Sequence, residues 1–296
     1  MSAEPWLIRP QKTKEILAAH GIRTRKRFGQ NFLVDARVPE QIIAAAGLEP
    51  TDLAIEIGPG IGTLTQYLCA CAGAVRAIEI DRDLLPVLAE TLAQWDNVRI
   101  ISGDVMKVDL REVIGEGLAA IGETAGTHRV RVVANLPYYI TTPILMKLLE
   151  EELPVDSITV MVQKEVADRM KASPGTAECG ALSLAVQYYA APEIAAVVPP
   201  HCFIPQPNVD SAVVHLSRLR ADARVQVRDA EYMFRLIKAA FSKRRKTLVN
   251  ALRSDAELQL TREAVERALD ALNLPQNIRG EALSLDQFAR LSDGLS

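Results

Sequence analysis

This 296-residue sequence lacks the features of a membrane or secreted protein. No apolar run approaches the roughly 18 to 20 residues that a helix needs to cross a bilayer. The first residues, MSAEPWLIRPQK, contain neither the apolar core nor the small-residue cleavage site of a secretion signal. We therefore expect a cytoplasmic protein with no membrane partner.

Cysteine is also scarce. The sequence has four cysteines, Cys69, Cys71, Cys179 and Cys202. They form no CxxC pair, and no histidine stands at a zinc-type spacing from them. From the sequence we expect reduced thiols, with neither a disulfide nor a metal site.

Two common nucleotide-binding motifs are missing. No GxxxxGK[ST] segment is present, which argues against a nucleoside triphosphate ligand. The glycine-rich turn at 58–62 reads GxGxG, whereas the dinucleotide pattern GxGxxG would need a glycine in place of Thr63. No histidine is placed to act as a proton donor beside this turn, so an NAD-dependent dehydrogenase is disfavoured.

The net charge of −3 is unevenly distributed along the chain. Residues 1–30 carry seven Lys and Arg against two acids, and residues 200–253 carry eleven against four. Residues 31–199 carry twelve against twenty-three. Two basic blocks that flank an acidic body leave room for a polyanionic partner.

From about residue 53, short apolar runs alternate with longer amphipathic stretches. The predicted strands are 53–57, 75–80, 98–102, 130–134 and 157–163, followed by a hairpin-like pair at 192–198 and 210–219. Helical spacing lies between them, around 62–72, 82–94 and 141–152. This order predicts an α/β fold whose mostly parallel sheet is covered on both faces and closed by an antiparallel edge. After about residue 221 only helical patterns remain, so a small all-α domain is expected to end the chain.

Acidic residues stand at the ends of the second and third predicted strands. Glu79 could accept hydrogen bonds from both hydroxyls of a ribose, while the nearby Asp81 is better suited to cap a helix. Asp104 could accept from an adenine amino group, or it could be a simple turn residue. Together with the glycine turn, these strand ends predict a nucleoside-type cofactor.

The fourth strand ends in the tetrapeptide NLPY. The side-chain oxygen of Asn135 and the carbonyl of Leu136 could hold the two hydrogens of an adenine amino group, with Pro137 fixing the backbone direction. Such acceptors favour a tetrahedral nitrogen with an available lone pair, and Tyr138 offers a flat face on which the base can stack. This predicts methyl transfer from a sulfonium donor to an adenine amine. The alternative is an ordinary Asx or proline-directed turn.

The motifs together resemble those of the ribosomal RNA adenine N6,N6-dimethyltransferases, in particular the bacterial branch that acts on small-subunit (16S) RNA. The matching segments are RKRFGQNFL (25–33), EIGPGIGTLT (56–65), AIEIDRDL (77–84), the Gly-Asp at 103–104, NLPYYITTPIL (135–145), VQKEVADRM (162–170), FIPQPNVDSAVV (203–214) and FSKRRKTLVNAL (241–252). They extend over most of the chain, and their order and spacing also fit.

The resemblance implies a fold, a cofactor and a set of site residues. A Rossmann-like class I methyltransferase domain would span 1–220, with a basic arm at 1–30, and a helical domain contacting RNA or the ribosome would span 221–296. S-adenosyl-L-methionine would be converted to S-adenosyl-L-homocysteine without a metal. The implied cofactor contacts are Gln30, Asn31, Leu33, Gly58, Gly60, Glu79, Asp104 and Asn135, and the implied catalytic residues are Asn135, Leu136, Pro137 and Tyr138.

The resemblance also implies the substrate. Each of two adjacent adenines near the 3′ end of 16S RNA would receive two methyl groups within the small subunit or its precursor, as part of subunit biogenesis, by a chain that we expect to be monomeric. The expected RNA contacts are Arg25, Lys26, Arg27, Phe203, Lys243, Arg244, Arg245 and Lys246. The basic runs could instead be solvated faces, and the ring of Phe203 could be packed in the core beside Pro205.

Two other functions are compatible with these motifs. A related enzyme that methylates large-subunit RNA would share the catalytic site, although the VDSAVV segment and the helical tail favour the small-subunit branch. A non-enzymatic nucleic-acid-binding factor on the same fold would have no need for intact glycines and an intact NLPY.

Overall fold

The computed structural model describes residues 4–22, 30–122, 128–243 and 245–296. The strands are β1 (Phe32–Leu33), β2 (Leu53–Ile57), β3 (Ala74–Glu79), β4 (Val98–Ser102), β5 (Val130–Asn135), β6 (Ser157–Gln163), β7 (Ala190–Val198), β8 (Phe203–Ile204) and β9 (Ser211–Arg218). The helices are α1 (Pro10–Ala19), α2 (Arg37–Ala46), α3 (Thr63–Cys71), α4 (Leu85–Thr91), α5 (Leu110–Ile121), α6 (Thr141–Glu150), α7 (Lys164–Lys171), α8 (Ala181–Tyr189), α9 (Ala230–Ser242), α10 (Leu248–Arg253), α11 (Arg262–Ala271) and α12 (Leu285–Leu295).

Seven strands form one mixed sheet in the order β4-β3-β2-β5-β6-β9-β7. The five strands from β4 to β6 are parallel, and β9 runs antiparallel to β6. The predicted fold class is therefore confirmed. Because the chain winds outward from β2 to β4 and then returns to place β5 on the other side of β2, the topological switch point lies between β2 and β5. Open α/β sheets bind ligands at the carboxyl ends of the strands at such a point.

The sequence of the central strands explains their position. All five residues of β2 and all six of β3 are buried, as expected for parallel strands covered on both faces. The outer strand β4 is only partly buried. A hydrophobic cluster that includes Ile42 of α2, Leu68 of α3 and Val133 of β5 packs on one face of the sheet. The rigid centre of the sheet thus supports the strand ends that carry the predicted site.

A small second sheet stands beside the main one. Strand β1 pairs antiparallel with β8, so that Phe32 faces Ile204 and Leu33 faces Phe203. The backbone N–H of Val34 extends the pairing by donating a 2.9 Å hydrogen bond to the carbonyl of Cys202. This pairing ties the segment after residue 30 to the segment around residue 203.

The chain divides into two compact units. The first contains residues 1–167 and 193–218, and the second contains residues 168–192 and 219–296. The expected boundary at residue 220 did not place 168–192 with the last helices. Its helix α8 belongs there because Tyr188 and Tyr189 pack against Phe234 of α9, with ring centroids 5.2 and 5.8 Å apart.

The last three helices of the second unit begin at polar residues that cap them. Thr247, Thr261 and Ser284 each accept a hydrogen bond from a backbone N–H in the first turn of α10, α11 and α12. Side-chain caps of this kind satisfy donors that a helix leaves unpaired at its start. In the parts of the chain that the structure describes, none of the helices combines the length and hydrophobicity of a membrane span.

Candidate active site

The glycine turn connects β2 to α3. Gly60 has a φ of +63°, which favours glycine, and a Cβ at this position would lie 3.2 Å from the Phe32 ring. A side chain at position 60 is therefore disfavoured both by the left-handed backbone and by the aromatic ring of Phe32 on β1. Its backbone lies open along one wall of a cleft at the carboxyl ends of β2, β3 and β5.

Glu79 is the last residue of β3, and its side chain is buried. The carboxylate accepts hydrogen bonds from the backbone N–H groups of Gly60, at 3.1 Å, and of Asp81, at 2.8 Å. Burial raises the pKa of Glu79 to about 6, although these backbone donors favour the ionised form. Asp81 caps the short helical turn Arg82–Leu84 by accepting from the Asp83 N–H, as predicted.

Asp104 follows β4 at the edge of a second cavity. One of its carboxylate oxygens accepts a 2.9 Å hydrogen bond from the N–H of Met106. This bond is typical of a turn residue, the alternative role for Asp104. The residue also lines a side cavity of about 370 Å³. Apart from Asp104, that side cavity is lined by Ile57, Gly58, Ile78, Ile80, Gly103, Val105, Pro137, Tyr139, Ile140 and Ile144. An apolar slot with one carboxylate at its rim suits a flat, weakly polar ring with a hydrogen-bond donor.

Asn135 ends β5 and lines the same cleft as the glycine turn. Its Nδ2 donates a 3.1 Å hydrogen bond to the carbonyl of Asn31. Because the amide nitrogen is engaged in this way, the amide oxygen Oδ1 is left to act as an acceptor. The backbone N–H of Leu136 donates to the carbonyl of Met161 on β6, at 3.1 Å, which fixes the start of the NLPY segment to the sheet.

The rest of NLPY is held by two further bonds. Thr141 donates from Oγ1 to the carbonyl of Pro137 at 3.0 Å, and the hydroxyl groups of Tyr138 and Ser211 lie 2.6 Å apart. Tyr138 is half-buried, and burial raises the pKa of its hydroxyl. The hydroxyl is therefore anchored on β9, while the ring lines the cleft.

The structure brings most of the predicted residues together. A cleft of about 750 Å³ is lined by the predicted residues Gln30, Asn31, Leu33, Gly58, Gly60, Glu79, Asn135, Leu136, Pro137 and Tyr138. Asp104 lines the side cavity, which shares Gly58, Ile80, Pro137 and Tyr139 with this cleft. One elongated ligand could therefore reach all of them.

Sequence reasoning missed two buried polar residues in the cleft. Within the described residues, Glu56 Oε2 and Thr63 Oγ1 are buried without a hydrogen-bond partner. Burial raises the pKa of Glu56 to about 8, opposed by the Thr65 side chain and reinforced by the nearby Glu79 carboxylate. The sequence feature that could have identified Glu56 is its position as the acidic residue of an otherwise apolar strand, just before the glycine turn. Orphaned polar atoms of this kind are costly unless a ligand pairs with them.

Two exposed apolar side chains at the mouth of the cleft were also missed. Ile80 is 46% exposed and Tyr139 is 56% exposed, and both line the cleft and the side cavity. Each comes immediately after a predicted site residue, Glu79 or Tyr138, and this position in the sequence could have identified it. Solvent-exposed apolar groups at a cavity rim are suited to cover a bound ring.

Phe203 does not fit the role expected of it. Its ring is fully buried in the hydrophobic cluster with Leu33 and Val38, and it does not line the cleft. The pairing of β1 with β8 draws this ring into the core, which is the packing alternative. A second stacking ring at Phe203 therefore has no support in this conformation.

The expected RNA contacts are only partly described. Lys243, Arg245 and Lys246 are exposed between α9 and α10 in the second unit. Arg25, Lys26, Arg27 and Arg244 lie outside the described residues. Their assignment to RNA stays a prediction.

Comparison with known proteins gives a family over nearly the whole chain. The family described as ribosomal RNA adenine dimethylase matches residues 21–293. A protein named ribosomal RNA small subunit methyltransferase A from Lachnoclostridium phytofermentans is 52% identical over 285 residues, covering 96% of each chain. The protein of the same name from Geobacillus thermodenitrificans is 50% identical over 287 residues, covering 97% of this chain and 96% of the relative.

Solved structures share the fold. A dimethyladenosine transferase from Plasmodium falciparum superposes with a TM-score of 0.68 at 23% identity, covering 88% of this chain and 95% of that one. The 23S rRNA methyltransferase ErmE superposes with a TM-score of 0.65 at 25% identity, covering 90% of this chain and 99% of its own.

Proposed function

The chain belongs to the ribosomal RNA adenine dimethylase family, and from that premise we propose that it dimethylates the N6 amine of two adjacent adenines near the 3′ end of 16S rRNA. The methyl donor is S-adenosylmethionine, and S-adenosylhomocysteine is released. The observation that carries the proposal is the position of Asn135. Its fixed amide and the adjoining Leu136 stand at the switch point, in the same cleft as Glu79 and the glycine turn.

The residues of the cleft and its side cavity fit the donor from end to end. Glu79 is a buried carboxylate suited to the hydroxyls of a ribose, and Asp104 stands at the rim of an apolar cavity suited to adenine. The orphaned atoms of Glu56 and Thr63 suit a polar amino-acid tail. Gln30, Asn31, Leu33, Gly58 and Gly60 would hold the donor from the remaining walls. When bound, S-adenosylmethionine supplies an electrophilic methyl group on a positively charged sulfur.

The acceptor amine is activated by geometry. Asn135 Oδ1 and the Leu136 carbonyl accept the two N6 hydrogens, so that the nitrogen lone pair is directed away from the ring system. Pro137 restricts the backbone that aims the Leu136 carbonyl, and the Tyr138 ring stacks on the base. Asn135 and Leu136 would hold the nitrogen in a reactive position towards a bound donor, and this positioning would supply most of the rate enhancement. The nitrogen becomes positively charged once methylated and would lose its proton to solvent, so this mechanism requires no strong base and no metal from the protein.

The RNA must present an unstacked adenine to this cleft. An amine within a stacked helix cannot reach Asn135, so the target is single-stranded or flipped. We assign the exposed Lys243, Arg245 and Lys246, together with the basic residues at 25–27 and Arg244, to phosphate contacts that set position while the cleft selects the base. The proposed setting is the cytoplasm, with the chain acting as a monomer.

The small-subunit substrate is favoured over the large-subunit one. Relatives named for the small subunit are about 50% identical to this chain over almost its full length, whereas the large-subunit methyltransferase ErmE is 25% identical. A purely binding role is disfavoured, because a non-catalytic factor would have no reason to keep Asn135 oriented by Asn31.

The test is transfer of labelled methyl groups to small subunits that lack the modification, followed by mapping of the methylated adenines by mass spectrometry. Asn135→Ala should abolish labelling while circular dichroism shows an intact fold. Asn277→Ala, a change to an exposed asparagine outside the cleft, is the matched control and should label normally. Labelling by the Asn135 variant at the wild-type rate would contradict the mechanism, and calorimetry with S-adenosylmethionine would show separately whether donor binding survives.

A further inference from the structure

Three metal-ligating side chains converge outside the proposed active site. The ligand atoms of Asp35, His201 and Cys202 all lie within 4.8 Å of one another. The Cys202 thiol lies 3.7 Å from Asp35 Oδ2. His201 and Cys202 are consecutive residues of the short helical turn Pro200–Cys202, whereas Asp35 precedes α2, far away along the chain. Spacing along the sequence could therefore not reveal the cluster.

The local backbone holds these residues in place. The bond from the Val34 N–H to the Cys202 carbonyl continues the β1–β8 pairing, so that Asp35 follows directly on one strand segment and Cys202 comes just before the other. Cys202 is buried, while His201 is exposed. A ligand could therefore enter from solvent past the imidazole and still meet a thiol shielded by the core.

We propose that Asp35, His201 and Cys202 bind a zinc ion, with water as the fourth ligand. A sulfur, a nitrogen and an oxygen donor form the mixed set that zinc accepts in tetrahedral geometry, whereas calcium and magnesium require oxygen ligands throughout. On binding, the thiol of Cys202 loses its proton to solvent and its sulfur bonds to zinc, and nothing is oxidised or reduced. Because no two of the ligand atoms are more than 4.8 Å apart, only small side-chain movements are needed for them to surround one ion.

A neighbouring cation competes with the metal for Asp35. Arg37 donates to both carboxylate oxygens, from Nε at 3.0 Å and from a terminal nitrogen at 2.6 Å. Arg37 is itself largely exposed, so its side chain can swing away into water when zinc arrives. The Arg37 guanidinium therefore occupies the Asp35 carboxylate at low zinc concentration, and zinc binds only above the concentration at which it displaces this cation.

The proposed ion would join the two segments that frame the cleft. Its ligands flank β1 and β8, and β1 follows Asn31, whose carbonyl holds the Asn135 amide. Zinc bound here would link the segments that carry β1 and β8 without contacting the cleft. The site is distinct from the proposed methyl-transfer chemistry and does not depend on it.

The test uses the untagged full-length chain titrated with zinc chloride in competition with a chromogenic chelator. We expect one tight equivalent per wild-type chain and a rise in melting temperature with zinc. Substituting a residue that only hydrogen-bonds to a metal ligand weakens metal affinity by about 10-fold to 100-fold. Loss of a ligand itself in His201→Gln or Cys202→Ser should therefore weaken zinc binding at least that much. His20→Gln and Cys71→Ser are matched controls and should bind as the wild type does. Because His201 is exposed, we expect His201→Gln to fold normally, which keeps the test meaningful if Cys202→Ser folds poorly.

Cobalt(II) gives a second readout, because a thiolate ligand produces an intense charge-transfer absorption. This band should be present in the wild type and in Cys71→Ser, and absent in Cys202→Ser. Arg37→Gln should tighten zinc binding by removing the competing cation. The proposal is overturned if the wild type takes up no zinc, or if His201→Gln binds zinc as tightly as the wild type. Unchanged or weaker binding in Arg37→Gln contradicts Asp35 as a ligand.

Discussion

The backbone N–H of Gly60 donates a hydrogen bond of 3.1 Å to Oε2 of Glu79, which joins the glycine turn after β2 to the acid that ends β3. A second backbone donor, the N–H of Asp81, fixes the other carboxylate oxygen at 2.8 Å. The carboxylate is therefore oriented before any ligand binds, and it needs little rearrangement to accept hydroxyl groups. Pre-organised acceptors of this kind lower the entropic cost of binding.

Glu79→Gln should weaken binding of S-adenosylmethionine. The amide puts an N–H group where the carboxylate accepts, and a hydrogen bond to a charged group is worth about 1.5–3 kcal/mol, so loss of one such bond should weaken binding about 10-fold to 150-fold. Calorimetric titration measures the change. Glu116→Gln, which removes an exposed acid paired with Arg99, is the control and should leave affinity unchanged. Wild-type affinity in Glu79→Gln would show that the acid does not contact the donor.

The same acid predicts how donor binding depends on pH. Burial raises the pKa of Glu79 to about 6, so the free protein loses the ionised acceptor as the pH falls through that value. Affinity for S-adenosylmethionine should therefore be constant above about pH 7 and decline below pH 6. In Glu79→Gln this decline should disappear. A decline of equal steepness in the variant would assign the effect to another group.

Glu56 predicts the pH dependence of stability in the free chain. Its pKa is raised from 4.5 to about 8 by burial, so the folded state keeps a proton that the unfolded chain loses. This group therefore leaves stability unaffected below about pH 4.5 and lowers it as the pH rises from there towards 8. Glu56→Gln keeps the neutral shape, and its melting temperature should fall less than that of the wild type between pH 5 and pH 8.

The control for that measurement is Glu178→Gln, because Glu178 is exposed. Its melting curve should follow the wild-type pH profile. Parallel profiles for Glu56→Gln and the wild type would mean that Glu56 is ionised in the folded chain.

The strand ends could be predicted from the sequence because local patterns determine them. The apolar run that ends in Glu79 was placed within one residue, and the run before Asn135 was placed equally well. In a parallel sheet these carboxyl ends meet at one edge, so their acids and amides had to lie together. The composition of the cleft thus followed from topology, with no need for detailed packing.

Other features depend on tertiary contacts that no local pattern encodes. The burial of Phe203 follows from the pairing of β8 with β1, whose residues stand far away along the chain. The lack of a hydrogen-bond partner for the Glu56 oxygen depends on how the surrounding residues bury it. The place of α8 in the second unit depends on ring contacts between Tyr189 and Phe234. Long-range packing of this kind cannot be predicted from local sequence patterns.

Arg131→Met should destabilise the protein strongly. Arg131 is buried and bonds to Asp52 at 2.6 Å and to the carbonyl of Ala46 at 2.8 Å. Removing the guanidinium leaves a buried carboxylate without its counter-charge, which typically costs about 3–5 kcal/mol. Arg99→Met breaks an exposed pair with Glu116 and should cost at most about 1 kcal/mol. Urea denaturation compares the two, and equal losses would contradict the assigned difference in burial.

Neutralising Arg244 and Arg245 should weaken RNA binding and flatten its salt dependence. Each phosphate contact releases counterions, so the logarithm of the binding constant should fall less steeply with the logarithm of salt concentration when contacts are lost. Filter binding of small-subunit RNA over a series of salt concentrations gives the slope. Arg290→Gln, a change to an exposed arginine paired with Asp286, is the control. An unchanged slope in the double variant would remove these residues from the RNA interface.

Tyr138→Phe and Tyr138→Ala separate the ring from its hydroxyl. The hydroxyl bonds to Ser211 on β9, whereas the ring lines the cleft, so the phenylalanine variant should keep most methyl transfer and lose only about 0.5–1.5 kcal/mol of stability. The alanine variant loses the stacking surface, worth about 1–3 kcal/mol per base, and should transfer methyl groups about 5-fold to 150-fold more slowly. Donor affinity should stay the same in both, because the ring is assigned to the acceptor base. Equal activity of the two variants would mean that the ring does not stack on the adenine, and equally reduced activity would mean that Tyr138 acts through its bond to Ser211 instead.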